Sequence, residues 1–223
     1  MSSLRQSFIN KYLDPGDSLG EVLFGLIMVL TFTLGTGLSA GEGSGATRTL
    51  LIAAIGCNLA WGLIDGLMYV MGCMFARSRD ARLIRKIRAT QDPKGAVTAI
   101  AGELDEKLDS ISTREARHQF YEDVVTTIRR KEPVVTRVTR EDIYGGIASF
   151  WLVFVSAIPA VIPFLFIDST RIALRTSNAL LVAMLFLVGH RWGRETNGRP
   201  WAVGVFLMLF GVALVFIAIV LGG

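Results

Sequence analysis

The chain has 223 residues, of which 52% are hydrophobic and only 19% charged, with a formal net charge of +4 and a mean hydropathy of +0.49. A soluble domain carries about a quarter charged residues, so this composition excludes a soluble enzyme with an ordinary surface, a disordered chain and a nucleic-acid binder driven by overall charge. The charges are also crowded: residues 76–142 hold 15 of the 23 basic and 12 of the 19 acidic side chains, the pattern of a membrane protein with one water-exposed insertion.

In chain order, residues 1–20 form an N-terminal segment. Leu4, Phe8 and Tyr12 are four apart, the spacing of a short interfacial helix over 2–13, although a disordered tail fits the same residues. Pro15-Gly16 ends that helix. No cleavable signal peptide is expected, because Asp14, Asp17 and Glu21 precede the first apolar run where such a peptide needs a positive segment.

Residues 21–76 hold the first two spans. A crossing takes about 20 apolar residues. Residues 22–41 carry no charge, and residues 49–76 carry only Asp65. An unpaired carboxylate in hydrocarbon costs several kcal/mol, so it pairs, faces a cavity or works. No Lys or Arg within the spans offers a partner, which leaves a proton or a cation; a protonated structural carboxyl is the plainer alternative. Asn58 and Met68 lie seven before and three after Asp65, on about the same helix face. With Met28 in the first span they are the expected lining of a cation path. Gly62, Gly66 and Gly72 permit close helix approach. Cys57 and Cys73, sixteen apart on one helix, cannot pair with each other there.

Residues 77–142 read as a helical cytosolic domain. The second span extends to about 91. Asp92 caps the next helix with Pro93 at its first position, and this helix runs to about Ile111. Ser112 and Glu115 have capping-box spacing for a third helix over 113–131, stopped by Pro133. Thr139-Arg-Glu-Asp142 starts the helix that becomes the third span. Glu103 and Glu106 are three apart, while Glu115, His118 and Glu122 share one helix face. His and carboxylates together suit Fe, Mn or Zn, and Glu-x-x-His is a spacing used in di-metal helical bundles. A solvated charged face explains the same pattern.

Residues 143–223 hold spans three to five: 143–167, with Pro159 and Pro163 expected to kink it; 176–190; and 200–223. The fourth run has only 15 residues and needs Arg175 and Arg191 to snorkel. Five spans put the N-terminus, the insertion and the 191–199 loop on one side with 20 basic residues, against Arg48, Arg171 and Arg175 on the other. The positive-inside rule then places the N-terminus in the cytosol and the C-terminus outside it. The expected fold is all-α and polytopic, with five transmembrane helices and a helical insertion between the second and third. No Ser-His-Asp set, phosphate loop or CxxC pair is present, so no enzymatic activity is expected. His190, beside Arg191 and Trp192, reads as an interface residue.

With these parts in order, the chain resembles a divergent, bacterial-type member of the vacuolar iron transporter family. The likeness is carried by GGIASFWLVFVSAIPAVIPFLF at 145–166 and TNGRPWAVGVFLMLFGVALVFIAIVLG at 196–222, with weaker echoes at 22–38 and 62–79. It implies a homodimer in the plasma (inner) membrane of a bacterium. The dimer would export Fe2+ or Mn2+ as transported substrate in exchange for protons, with no tightly bound cofactor and no nucleic acid. The family carries an Asp on the first span and a Met on the second. Here Met28 falls at the Asp position and Asp65 at the Met position, so a carboxylate and a thioether are expected to face each other with the types exchanged. Trp61 replaces a second-span Asp of the family. The family also has a Glu-rich cytosolic domain that collects metal, for which Glu103, Glu106, Glu115, His118 and Glu122 are the expected ligands here, although the first cytosolic helix is basic where the family is often acidic. A competing expectation is a non-transporting anchor or regulator whose basic insertion binds a partner or anionic lipid.

Overall fold

A computed structural model describes residues 8–37, 44–130 and 136–220. Among them nine helices and no strand occur: α1 Phe8–Tyr12, α2 Pro15–Gly37, α3 Ser44–Ala89, α4 Pro93–Leu108, α5 Arg114–Arg130, α6 Arg140–Ser156, α7 Ile158–Phe166, α8 Thr170–Glu195 and α9 Pro200–Val220. Five stretches are long and apolar enough to cross a membrane: Pro15–Leu34, Thr47–Ala89, Arg140–Phe166, Thr170–Glu195 and Pro200–Ile217.

Several boundaries differ from the sequence reading for local reasons. Pro15 does not simply end α1; it opens α2, where a missing N–H costs nothing at the first helical position. Asp17 lies in the first turn of α2, favoured there by the helix dipole, and Glu21 is carried into the bundle. The fourth span is not 15 residues but 26, because Arg171, Arg175, Arg191 and Arg194 continue the helix at both ends. Arg191 also pairs with Glu195 one turn on, at 3.2 Å. Asp92 caps α4 as expected, accepting from the Lys94 and Gly95 amides, but α4 ends at Leu108. Thr113, not Ser112, caps α5: its Oγ1 accepts from Ala116 N at 3.3 Å, while Ser112 Oγ turns back to Leu108 O. The Pro133 stop and the part of the expected 2–13 helix before Phe8, with Leu4, lie outside the described residues.

The third span breaks at Ala157, between α6 and α7. Ala157 N donates to Phe154 O in a tightened turn, so Val153 O loses its usual helical donor. Two side chains replace it: Ser156 Oγ at 2.6 Å and Asn58 Nδ2 at 3.1 Å. Ser177 Oγ donates to Ala160 O at 2.8 Å just beyond the break. The Pro-disturbed backbone is thus satisfied by neighbouring helices. Between α8 and α9, Asn197 adopts a positive φ of 53°, a conformation Asn tolerates better than most residues.

The chain divides into two compact units. One holds the residues up to Val70 and from Arg140 on; the other is Met71–Thr139. The core of the first joins Leu26, Val29 and Leu30 of α2 to Ala160 of α7 and Leu181 and Leu185 of α8. Its outward faces remain apolar, with Trp201, Phe206 and Phe216 about two-thirds exposed, the reverse of a water-facing surface and compatible with lipid contact. The second unit closes on Ile87, Ala96, Ile100, Tyr121 and Val125.

Candidate cation site in the helical bundle

Small residues bring α3 and α6 into backbone contact. A Cβ on Gly66 would lie 2.6 Å from Gly146 O, and one on Gly146 would lie 2.6 Å from Gly66 O. Neither position accepts a side chain without the helices separating. Helix α2 meets the same seam at Gly25, where a Cβ would strike Ser156 Oγ.

Polar groups are threaded through this seam. Asn58 is fully buried. Its Nδ2 donates to Gly25 O at 3.3 Å and to Val153 O at 3.1 Å, joining α2, α3 and α6. Because both neighbours are carbonyl oxygens, the amide must present its NH2 to them. Its Oδ1 therefore points the other way, buried and without a hydrogen-bond partner. One turn toward the start of α2, Ser149 Oγ of α6 donates to Glu21 Oε1 at 2.8 Å. Asp65 on α3 acts on Glu21 as a nearby like charge, and Asp65 Oδ2 is buried with no hydrogen-bond partner. Further along the bundle Thr33 Oγ1 lies 3.0 Å from both Leu30 O and Asn178 Oδ1.

The pairings fix the register of α2 against α3. Gly25 meets Asn58, the Phe24 ring packs edge-on to Trp61 at 5.7 Å, and Glu21 faces the charge of Asp65. Residue numbers fall on one helix as they rise on the other, so the two run antiparallel. Within the chain the α2 counterpart of Asp65 is consequently Glu21. Met28 is seven residues further, ~10 Å along the axis, and within one chain it is not level with Asp65. Met68 is 62% exposed and turns away from the seam. Of the predicted path, Asn58 and the Oδ2 of Asp65 are buried on α3, α2 and α6 are joined by Glu21 and Ser149, and Met68 faces outward. Glu21 escaped the sequence reading because it stands just before the uncharged run. Its spacing to Gly25 and Met28 was the available signal.

The acidic residues of Met71–Thr139 are placed differently. Glu103 makes a 3.6 Å ion pair with Arg79, and His118 Nδ1 lies 3.6 Å from Glu122 Oε1, all largely exposed. Glu106 and Glu115 are also exposed. Arg117 binds Asp105 at 3.2 Å and Asp109 at 2.8 Å, and Tyr121 Oη donates to Asp105 at 2.7 Å. Burial, then that hydrogen bond, holds the Tyr121 phenol above its usual range. Among the described residues no three His, Cys, Asp or Glu gather in a way that could hold a metal ion. Glu103, Glu106, Glu115, His118 and Glu122 are not brought together as one ligand set.

No protein-family model matches the chain, and a search of curated proteins finds no match.

Proposed function

We propose that this protein carries a divalent first-row metal, Fe2+ or Mn2+, out of the cytosol in exchange for protons, with Glu21 and Asp65 as the carboxylates that hold cation or proton in turn. The observation that carries this reading is the buried, unpartnered Asp65 Oδ2 in a helix long enough to cross a membrane, with the Glu21 carboxylate on the antiparallel helix α2 near enough to feel its charge. Two like charges in a weakly polar setting repel, and a shared cation or a proton removes the repulsion. Asn58 Oδ1 supplies a third unclaimed oxygen some 10 Å along α3, a next position for a cation moving through the seam.

The oxygen-only set modifies the metal preference. With Met28 and Met68 outside the seam, no soft thioether stands at the carboxylates, and oxygen donors suit Mn2+ better than softer metals. Manganese is therefore the first substrate to test. The distribution of basic residues supports a cytosolic N-terminus and a cytosolic Met71–Thr139 unit, in a homodimer of the inner membrane. A protein acting only as an anchor would be indifferent to both carboxylates.

The test is Mn2+ and Fe2+ flux in proteoliposomes with and without an imposed pH gradient. Wild-type protein is expected to move metal against the proton flow. Asp65→Asn and Glu21→Gln should each lower the rate by about a hundredfold, equivalent to ~2.7 kcal/mol. Unchanged flux in both variants refutes the reading.

A further inference from the structure

One face of α3 is not used by either hydrophobic core. Met71, Phe75, Arg79, Arg82 and Lys86 follow at helical spacing and lie within about 80° of one another around the axis. All five are exposed, Met71 at 59% and Phe75 at 70%. The face changes character at one level: apolar through Phe75, basic from Arg79. A cavity of about 400 Å³ runs along it, lined by Met71, Gly72, Phe75, Ala76 and Arg79. A Cβ on Gly72 would meet nothing within 4 Å. This glycine therefore serves no helix contact within the chain, and its missing side chain keeps the groove open. Arg82 stands over the Phe75 ring at 5.8 Å, so the basic part leans onto the apolar part.

We infer that this face binds an anionic phospholipid, one acyl chain in the Met71–Gly72–Phe75 groove and the phosphate on Arg79 and Arg82, with Lys86 adding attraction. Three arguments fix the occupant. The uncharged run of α3 ends at Ala76 and the charges begin at Arg77, so a helix that crosses hydrocarbon leaves it at this level. The groove's apolar-to-cationic order is that of a lipid read from tail to phosphate, and basic clusters just beyond a span attract anionic headgroups. A second copy of the chain fits poorly, because a two-fold contact between copies sharing one membrane orientation would set the Arg79, Arg82 and Lys86 of each against the other. Glu103 also reaches Arg79, but at 3.6 Å and with both side chains exposed, which leaves guanidinium donors for a phosphate. The inference does not depend on transport.

The experiment uses the full-length protein in detergent, titrated with phosphatidylglycerol or phosphatidylcholine and read by native mass spectrometry and by melting temperature. Wild type is expected to prefer phosphatidylglycerol. The variant R79Q/R82Q/K86Q should lose that preference by roughly tenfold or more. K94Q/K107Q/R114Q removes the same charge elsewhere and should retain the preference. M71S/F75S should weaken both lipids alike. Soluble glycerol phosphate should not compete, because it has no acyl chain. Helical content by circular dichroism excludes misfolding as the cause. Equal phosphatidylglycerol binding by wild type and R79Q/R82Q/K86Q, equal loss in the off-face variant, or a changed oligomeric state with unchanged lipid preference would each overturn the inference.

Discussion

Acidic side chains occur in both units of this protein, and their surroundings give them opposite uses. In Met71–Thr139, Asp105 and Asp109 are claimed by Arg117, and Asp105 also by the Tyr121 hydroxyl. In the helical bundle, Glu21 receives one hydroxyl and Asp65 Oδ2 receives nothing. A carboxylate that has spent its lone pairs on a guanidinium holds helices together. One kept from water without a donor still has an oxygen that a proton or a cation can claim. The number of acidic residues is therefore a poor guide here: what separates the two cases is whether a buried oxygen has a donor.

Five variants test that contrast, those with the greatest expected effect first. Asp65→Asn and Glu21→Gln should stop metal flux while leaving the protein folded; loss of folding instead would make the pair structural. Asn58→Leu should lower the melting temperature markedly. It removes the side-chain donor from two buried carbonyls, at about 1–3 kcal/mol each, although Ser156 still serves Val153 O. Arg117→Met should destabilise the Met71–Thr139 unit by ~1 kcal/mol, because its carboxylate partners remain half in water. Protection of α4 and α5 amides from hydrogen exchange reads this directly. Finally, combined alanine replacement of Glu115, His118 and Glu122 should change stability by less than about 0.5 kcal/mol and leave manganese flux intact. A marked drop in flux would restore this helix face as a metal collector.

Much of the fold was legible in residues alone. Charge-free runs located the apolar helices, Asp92-Pro93 located the start of α4, and the Pro pair located a break in the third span. The misplaced span limits share one cause. Charge was taken to end a span, whereas a helix continues through Arg171, Arg175 or Glu21 whenever their long side chains find water or a donor. That assumption shortened α8 and kept Glu21 out of the bundle. The level of Met28 relative to Asp65 within one chain was not legible for another reason. Register between helices distant in sequence depends on contacts such as Asn58 with Gly25 O, and periodicity along one helix carries no information about it. Glu115, His118 and Glu122 did share a helix face. What a spacing rule could not supply was a second helix offering ligands to that face.

The orientation of Asn58 makes some near-isosteric replacements the harshest. Exchange of its amide nitrogen for oxygen, as in Asn58→Asp, keeps size and shape but turns acceptor atoms toward Gly25 O and Val153 O, and a clamp becomes a repulsion. Asp65→Asn is the mirror case, where oxygen becomes nitrogen beside Glu21 and the negative charge disappears. Seven residues apart on one helix, the two positions hold opposite members of the same isosteric pair, and the contacts of Asn58 require the amide. Asp-for-Asn exchange, commonly treated as mild, here replaces a donor by an acceptor facing two carbonyl oxygens.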